Sequence, residues 1–160
     1  KKLLKREAKG GQIMPNKKVM LSDTKIIELN QGNVLHAMKS TDEGFCSFGE
    51  AYFSCINPGA IKAWKRHKKM YLNIIVPIGE IRFVLFDKEK KFLKEDTFQE
   101  FILSQKNYKR LTVPPKIWMG FQCISKEQAM LLNIANITHD DTEVENMDIN
   151  EIKFDWSLRK

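Results

Sequence analysis

The sequence predicts an all-β domain, a sandwich or a barrel. Three observations carry this. Short apolar runs recur at regular spacing and are separated by Gly, Pro and Asn turn signals. No βαβ rhythm is present, which removes the dinucleotide-binding folds, and neither a Gly-rich phosphate loop nor an internal repeat occurs. A hydrophobic content of 42% with ten Phe supplies enough apolar material for a core and excludes a disordered chain. At 160 residues the chain is expected to form one domain.

Along the chain, "TKIIELN" and "GNVLHAMK" read as short strands with Gln-Gly as the turn between them. "STDEGFCSFGE" is polar and glycine-containing, so it reads as a loop. "AYFSCI" is a strand closed by the turn "NPG". A long strand, Ile61 to Ile75, is followed by a turn at Pro77 to Gly79 and a strand from Glu80 to Asp87. "KEKK" is expected as an exposed turn. "DTFQEFILS" fits two periods: Phe98, Phe101 and Ile102 share a helical face, whereas Phe98, Glu100 and Ile102 alternate as in a strand. "KRLTVPP", "WMGFQCIS" and "AMLLNIANI" are further strands. The acidic "HDDTEVENMDINE" and terminal "FDWSLRK" are expected as a tail packed on the outside, anchored by Phe154 and Trp156.

The net charge of +7 is unevenly distributed. Residues 1–20 carry seven Lys/Arg and one Glu, or +6, leaving twenty basic and nineteen acidic side chains, or +1, in the remainder. The body is nearly neutral, so nucleic acid is not expected as a partner. Residues 1–20 are expected to be a loosely packed basic arm, and 21–160 the domain. No apolar run approaches the roughly 20 residues that span a bilayer, and no secretory leader is expected. Cys46, Cys55 and Cys123 are odd in number and lack metal-ligand spacing, which points to free thiols in a cytoplasmic protein. His36, His67 and His139 are far apart, so no metal centre is expected.

The stretch "IKAWKRHKKMYLNII" concentrates five positive charges and His67 on the strand before the most apolar hairpin. Strict alternation places Ala63, Lys65, His67, Tyr71 and Asn73 on one face, and Lys62, Trp64, Arg66 and Lys68 on the other. Both faces turn from polar to apolar along the strand. A solvated face and a pocket for an anionic small molecule at a barrel mouth both fit this pattern.

Three blocks, "GEAYFSCINPGAIKAWKRH", "NYKRLTVPPKIWMGFQCIS" and "ITHDDTEVENMDINEIKFDW", resemble the cupin-fold nucleotide-sugar isomerases, a family that includes dTDP-4-dehydrorhamnose 3,5-epimerases and dTDP-sugar ketoisomerases. The resemblance runs from about Glu50 to Trp156. It implies a cupin-type jelly-roll barrel with a short C-terminal tail, usually dimeric. It also implies a nucleotide-diphosphate sugar as ligand, with no metal or cofactor. In this family a histidine removes the proton next to the sugar's keto group, and a tyrosine on a later strand commonly returns it.

Position by position, the resemblance puts Lys62 at the diphosphate-binding Arg and Lys65 at the epimerase base. His67 matches the second His of the ketoisomerase His-X-His pattern. Glu50, Tyr52 and Ser54 fall at the alternating substrate contacts, and Tyr71 is expected to project beside His67. Trp118 and Met119 replace the Phe and His of the hairpin, with Trp118 expected as a substrate contact or as core. Asp148 lies near the acid that orients the base. Leu132 falls at the catalytic tyrosine, with Asn133 beside it as a substrate contact. Since Leu132 cannot transfer a proton, a one-base reaction or keto migration is expected rather than double epimerisation. Lys65 could serve as acid, base or plain cation. The rival reading is a nucleotide-sugar-binding cupin that has lost its acid/base pair.

Overall fold

In the computed structural model, residues 17–87 and 98–158 are described. The first sixteen residues of the basic arm and the "KEKK" turn lie outside them. Among the described residues the regular structure is almost all strand: β1 (Met20–Asp23), β2 (Ile26–Ile27), β3 (Val34–Leu35), β4 (Glu50–Ile56), β5 (Ile61–His67), β6 (Leu72–Ile78), β7 (Glu80–Phe86), β8 (Phe98–Ser104), β9 (Lys109–Val113), β10 (Trp118–Cys123), β11 (Ala129–Ala135) and β12 (Val144–Asn146). A 3-10 turn, Asp141–Glu143, precedes β12. No helix among the described residues is long and apolar enough to cross a membrane.

Two five-stranded antiparallel sheets face each other as a jelly roll, ordered β1-β9-β6-β11-β4 and β12-β5-β10-β7-β8. Neighbours in the sheets are distant in sequence, as in β12 against β5, so topology rather than hairpin proximity builds the site. The sharp connection between β6 and β7 is made by Gly79, whose φ of +75° favours glycine and where a Cβ would lie 2.7 Å from the Ala129 backbone. The strands form because their periods match the sandwich. In β11, Ala129, Leu131, Asn133 and Ala135 turn inward while Met130, Leu132 and Ile134 are only partly covered. The ambiguous segment is β8: Phe98 to Ser104 pair in unbroken register with β7, which places Phe101 and Leu103 against the main core. Sheet pairing satisfies its backbone and overrides the helical spacing.

The main core fills the space between the sheets, with Leu72, Ile74, Val76, Ile81, Phe83 and Leu111 at its centre. A second core lies on the outer face of β5-β10-β7-β8, where Trp64, Val84, Trp118 and Ile152 are buried. The C-terminal tail covers it, as the sequence anticipates, with Phe154 and Trp156 edge to face at 4.9 Å. Both faces of this sheet are therefore buried, which explains why β5 has no simple solvent side.

Candidate active site

A cavity of about 390 Å³ opens between the two sheets, within the range of small-molecule sites. On one wall stand Lys62, Lys65 and His67 of β5, with Met119 and Phe121 of β10. On the other stand Tyr52 and Ser54 of β4, Leu72 and Ile74 of β6, and Leu131 and Asn133 of β11. Asn146 and Met147 also line it. Lys62 and Lys65 are the charged lining residues, with no carboxylate among them, so the field favours an anion.

A β-bulge sets the cationic wall. Lys65 pairs with Met119 and Lys62 with Phe121, so Ala63 and Trp64 together oppose Gly120. The extra residue shifts the phase of the strand. Lys62, which alternation put on the face opposite Lys65 and His67, thereby joins them at the cavity. Gly120 makes the bulge possible: a Cβ there would lie 2.7 Å from the Ala63 Cβ and 2.9 Å from the Trp156 ring. Trp64 turns the other way into the second core, and its indole N–H donates to the Ile149 carbonyl at 3.3 Å. Lys62 reaches across to β4, where its Nζ donates to Ser54 Oγ at 3.1 Å and to the Cys55 carbonyl at 3.3 Å.

His67 is 7% exposed, and its Nδ1 lies 2.8 Å from Glu143 Oε2. The other carboxylate oxygen, Oε1, accepts from the backbone N–H of Lys69 at 3.0 Å and of Met70 at 2.8 Å. Burial alone would raise the Glu143 pKa, but the His67 contact and these two N–H groups outweigh it and hold the carboxyl below its ordinary value. The carboxylate is therefore charged at neutral pH and accepts from Nδ1–H. In the neutral imidazole this arrangement leaves the lone pair on Nε2. The 3-10 turn that presents Glu143 is capped by Asp140, whose Oδ1 accepts from the Thr142 N–H at 2.8 Å.

Six residues expected at the site from the sequence meet at the cavity: Lys62, Lys65, His67, Tyr52, Ser54 and Asn133. Glu50, Tyr71, Trp118 and Asp148 do not line it. Glu50 stands at the start of β4, opposite Ala135. Tyr71 follows the end of β5, in the crossing to β6, where its N–H donates to Asn136 Oδ1. Asn73 has crossed to the other sheet and accepts from Thr112 Oγ1 at 2.7 Å. Trp118 is buried in the second core beneath the tail, with the Arg66 guanidinium 4.7 Å above its ring; the cavity side of β10 belongs to Met119. Asp148 is exposed and caps a local turn by accepting from the Asn150 N–H at 2.9 Å. Glu143, five residues earlier, occupies the position beside the imidazole. Leu132 points away from the cavity, because its neighbours Leu131 and Asn133 take the inward positions.

Glu143 is the functional residue that sequence patterns alone do not single out. Its signal, an Asp140-X-X-Glu143 capping pattern, marks a turn but not the burial of the carboxylate. Among the described residues, no group of three His, Cys, Asp or Glu side chains is placed to hold a metal.

No protein-family model matches the chain. Among solved structures it is similar to a dTDP sugar isomerase from Desulfovibrio desulfuricans G20, with 35% identity, a TM-score of 0.80, and coverage of 86% of this chain and 90% of the other. A dTDP-4-dehydrorhamnose 3,5-epimerase from Sulfolobus tokodaii has the same fold, with a TM-score of 0.74 at 20% identity over 88% and 82% of the chains. Among curated proteins, a probable low-salt glycan biosynthesis epimerase, Agl13 of Haloferax volcanii, is 25% identical over 151 residues, 90% of this chain and 97% of that protein.

Proposed function

The chain belongs to the cupin-fold nucleotide-sugar isomerase family, and from that premise we propose that it is an epimerase or isomerase of a nucleotide-diphospho-4-keto sugar in cell-surface glycan biosynthesis. The observation that carries this reading is the His67–Glu143 pair at the wall of a cation-lined cavity. Glu143 is the positioning residue: it holds Nδ1–H and leaves Nε2 to accept the proton from the carbon next to the keto group. Lys62 and Lys65 supply charge for the diphosphate or for the enolate oxygen that develops as the C–H bond breaks. The non-catalytic alternative is disfavoured by the same pair. A binding protein needs no buried imidazole held in one tautomer by a carboxylate with three hydrogen-bond partners.

A homodimer accompanies this reading. β4 is a sheet edge among the described residues, and Phe48, Phe53 and Ile78 are 65%, 62% and 51% exposed. The three free thiols fit a reducing cytoplasm. The test of function is incubation with dTDP-linked 4-keto sugars in heavy water, followed by NMR. Deuterium is expected at a carbon adjacent to the keto group, and His67→Asn should slow its entry by roughly 100- to 10,000-fold while dTDP still binds. Exchange at the wild-type rate in that variant would remove His67 as the base.

A further inference from the structure

The bulge that brings Lys62 into the cavity is held from three sides, and the C-terminal tail supplies two of them. On one edge Ala63 and Trp64 together face Gly120 of β10. On the other edge the chain beyond β12 continues the sheet. The Trp64 N–H donates to the Met147 carbonyl at 3.1 Å, and the Met147 N–H donates back to the Trp64 carbonyl at 3.0 Å. The outer side is closed by the end of the tail. Ala63 and Trp64 both pack into the second core, where the Trp156 ring lies 5.3 Å from that of Trp64. The same indole covers Gly120, at which a Cβ would come within 2.9 Å of its ring.

The tail is itself fastened on both sides of Trp156. The Arg82 guanidinium lies 5.0 Å over the Phe154 ring, and its Nη1 donates to the Ser157 carbonyl at 3.3 Å. Glu100 accepts from Arg82 Nε at 2.8 Å and keeps the guanidinium in place. Two consecutive outward side chains depart from the regular pleat, so something on the outer face must favour them. Trp64 is 1% exposed, and covering a side chain that buries about 150–250 Å² supplies the preference. With Ala63 and Trp64 both outward, Lys62 and Lys65 on either side of them turn inward to the cavity. There Lys62 Nζ donates to Ser54 Oγ and the Cys55 carbonyl, which leaves one of its three N–H donors for an anion.

We propose that Trp156 is a positioning residue for ligand binding: it caps Trp64 and Gly120 from outside the sheet and so keeps Lys62 turned into the cavity, where its ammonium meets the diphosphate. This rests on the reading of Lys62 as a diphosphate cation and adds the element that aims it. Trp156 does not line the cavity, so it acts only through the strand between them. Without its indole, Trp64 loses its cover and the outer face no longer favours two consecutive outward side chains. Regular alternation then returns Lys62 to the face opposite Lys65 and His67. His67 is held separately, because β12 pairs with the far end of β5 and sets Val144 opposite it.

The test is calorimetric titration of dTDP into wild type, Lys62→Ala, Trp156→Ala and the double variant. Losing a charge-assisted hydrogen bond to an anion weakens binding by about 10- to 100-fold, the range expected for Lys62→Ala. Trp156→Ala should lose affinity to a similar extent, and the double variant should bind within about twofold of Lys62→Ala, because both changes remove the same contact. In the deuterium-exchange reaction the Trp156→Ala loss should fall on KM, with kcat within about threefold of wild type. Should the Ala variant fold poorly, Trp156→Leu, too short to reach over Gly120, serves in its place with an expected loss of about fivefold that vanishes in the Lys62→Ala background. Affinity within about twofold of wild type in a folded Trp156 variant overturns the assignment. A loss that adds in full to that of Lys62→Ala overturns it too, while leaving Lys62 as the diphosphate cation. Wild-type affinity in Lys62→Ala overturns both.

Discussion

Replacing Glu143 by Gln changes one oxygen to an amide, and the surrounding donors dictate which way that amide must turn. Two backbone donors, the N–H groups of Lys69 and Met70, converge on Oε1 at 3.0 and 2.8 Å. A Gln side chain must keep its carbonyl oxygen there, since turning its NH₂ toward two N–H groups would oppose donor to donor. Its NH₂ then faces His67 Nδ1, which stood 2.8 Å from a carboxylate oxygen. The imidazole can satisfy that donor only by accepting at Nδ1, which moves its proton to Nε2, the atom that must act as base. Exchange next to the keto group should therefore fall by about 100- to 10,000-fold, the usual worth of a general base. Exchanging charge-assisted for neutral hydrogen bonds should cost about 1–2 kcal/mol of stability. Deuterium uptake by NMR measures the first effect and urea denaturation the second. The imidazole ¹⁵N shifts report the tautomer, which a merely structural role for Glu143 would not move. Deuterium uptake within threefold of wild type, or an unchanged tautomer, would refute the reasoning.

Lys62→Ala should weaken dTDP binding. At a concentration of 100 times the wild-type Kd, dTDP should raise the wild-type melting temperature by roughly 5–11 °C, and most of that shift should vanish in the variant; an equal shift would place the diphosphate elsewhere. Because the folded-state pKa of Glu143 is held below its ordinary 4.5, its contribution to stability is present above about pH 4.5 and is lost as the pH falls through the folded value. The stability gap between wild type and Glu143→Gln should therefore narrow as the pH falls below about 4.5, as read by urea midpoints. Gly120→Ala should lower stability by roughly 1–3 kcal/mol, because its Cβ has no room between Ala63 and Trp156, and a melting curve identical to wild type would count against that packing. Phe53→Asp, on the exposed face beside the β4 edge, should leave a folded monomer in sedimentation velocity, whereas an unchanged dimer would move the interface to another surface.

Much of the strand content was legible because it is written locally. Period-two alternation in "AMLLNIANI" needs nothing beyond a few neighbouring residues and has the expected structure, whereas the turn expected over Pro77 to Gly79 narrows to Gly79, because Pro77 and Ile78 belong to β6. The tail anchors Phe154 and Trp156 were legible for a similar reason: large apolar side chains in a polar terminal segment must find cover. "DTFQEFILS" was not, since its apolar spacing suits helix and strand alike, and only pairing with β7 selects one.

The sequence by itself determined an all-β chain, a cationic strand carrying His67, and the resemblance to nucleotide-sugar isomerases. Tertiary structure decided which of the charged side chains share a cavity. Lys62 joins Lys65 and His67 because Ala63 and Trp64 together oppose Gly120, and that two-against-one pairing is imposed by a strand more than fifty residues away in sequence. Glu143 rather than Asp148 meets the imidazole because β12 pairs with β5 in a register that sets Val144 opposite His67. Trp118 and Tyr71 leave the site because the tail buries one and the crossing to the second sheet carries off the other. Alternation along a strand states only that neighbouring residues face opposite ways. Which of those ways is the cavity depends on bulges and partner strands, and these are set by contacts remote along the chain.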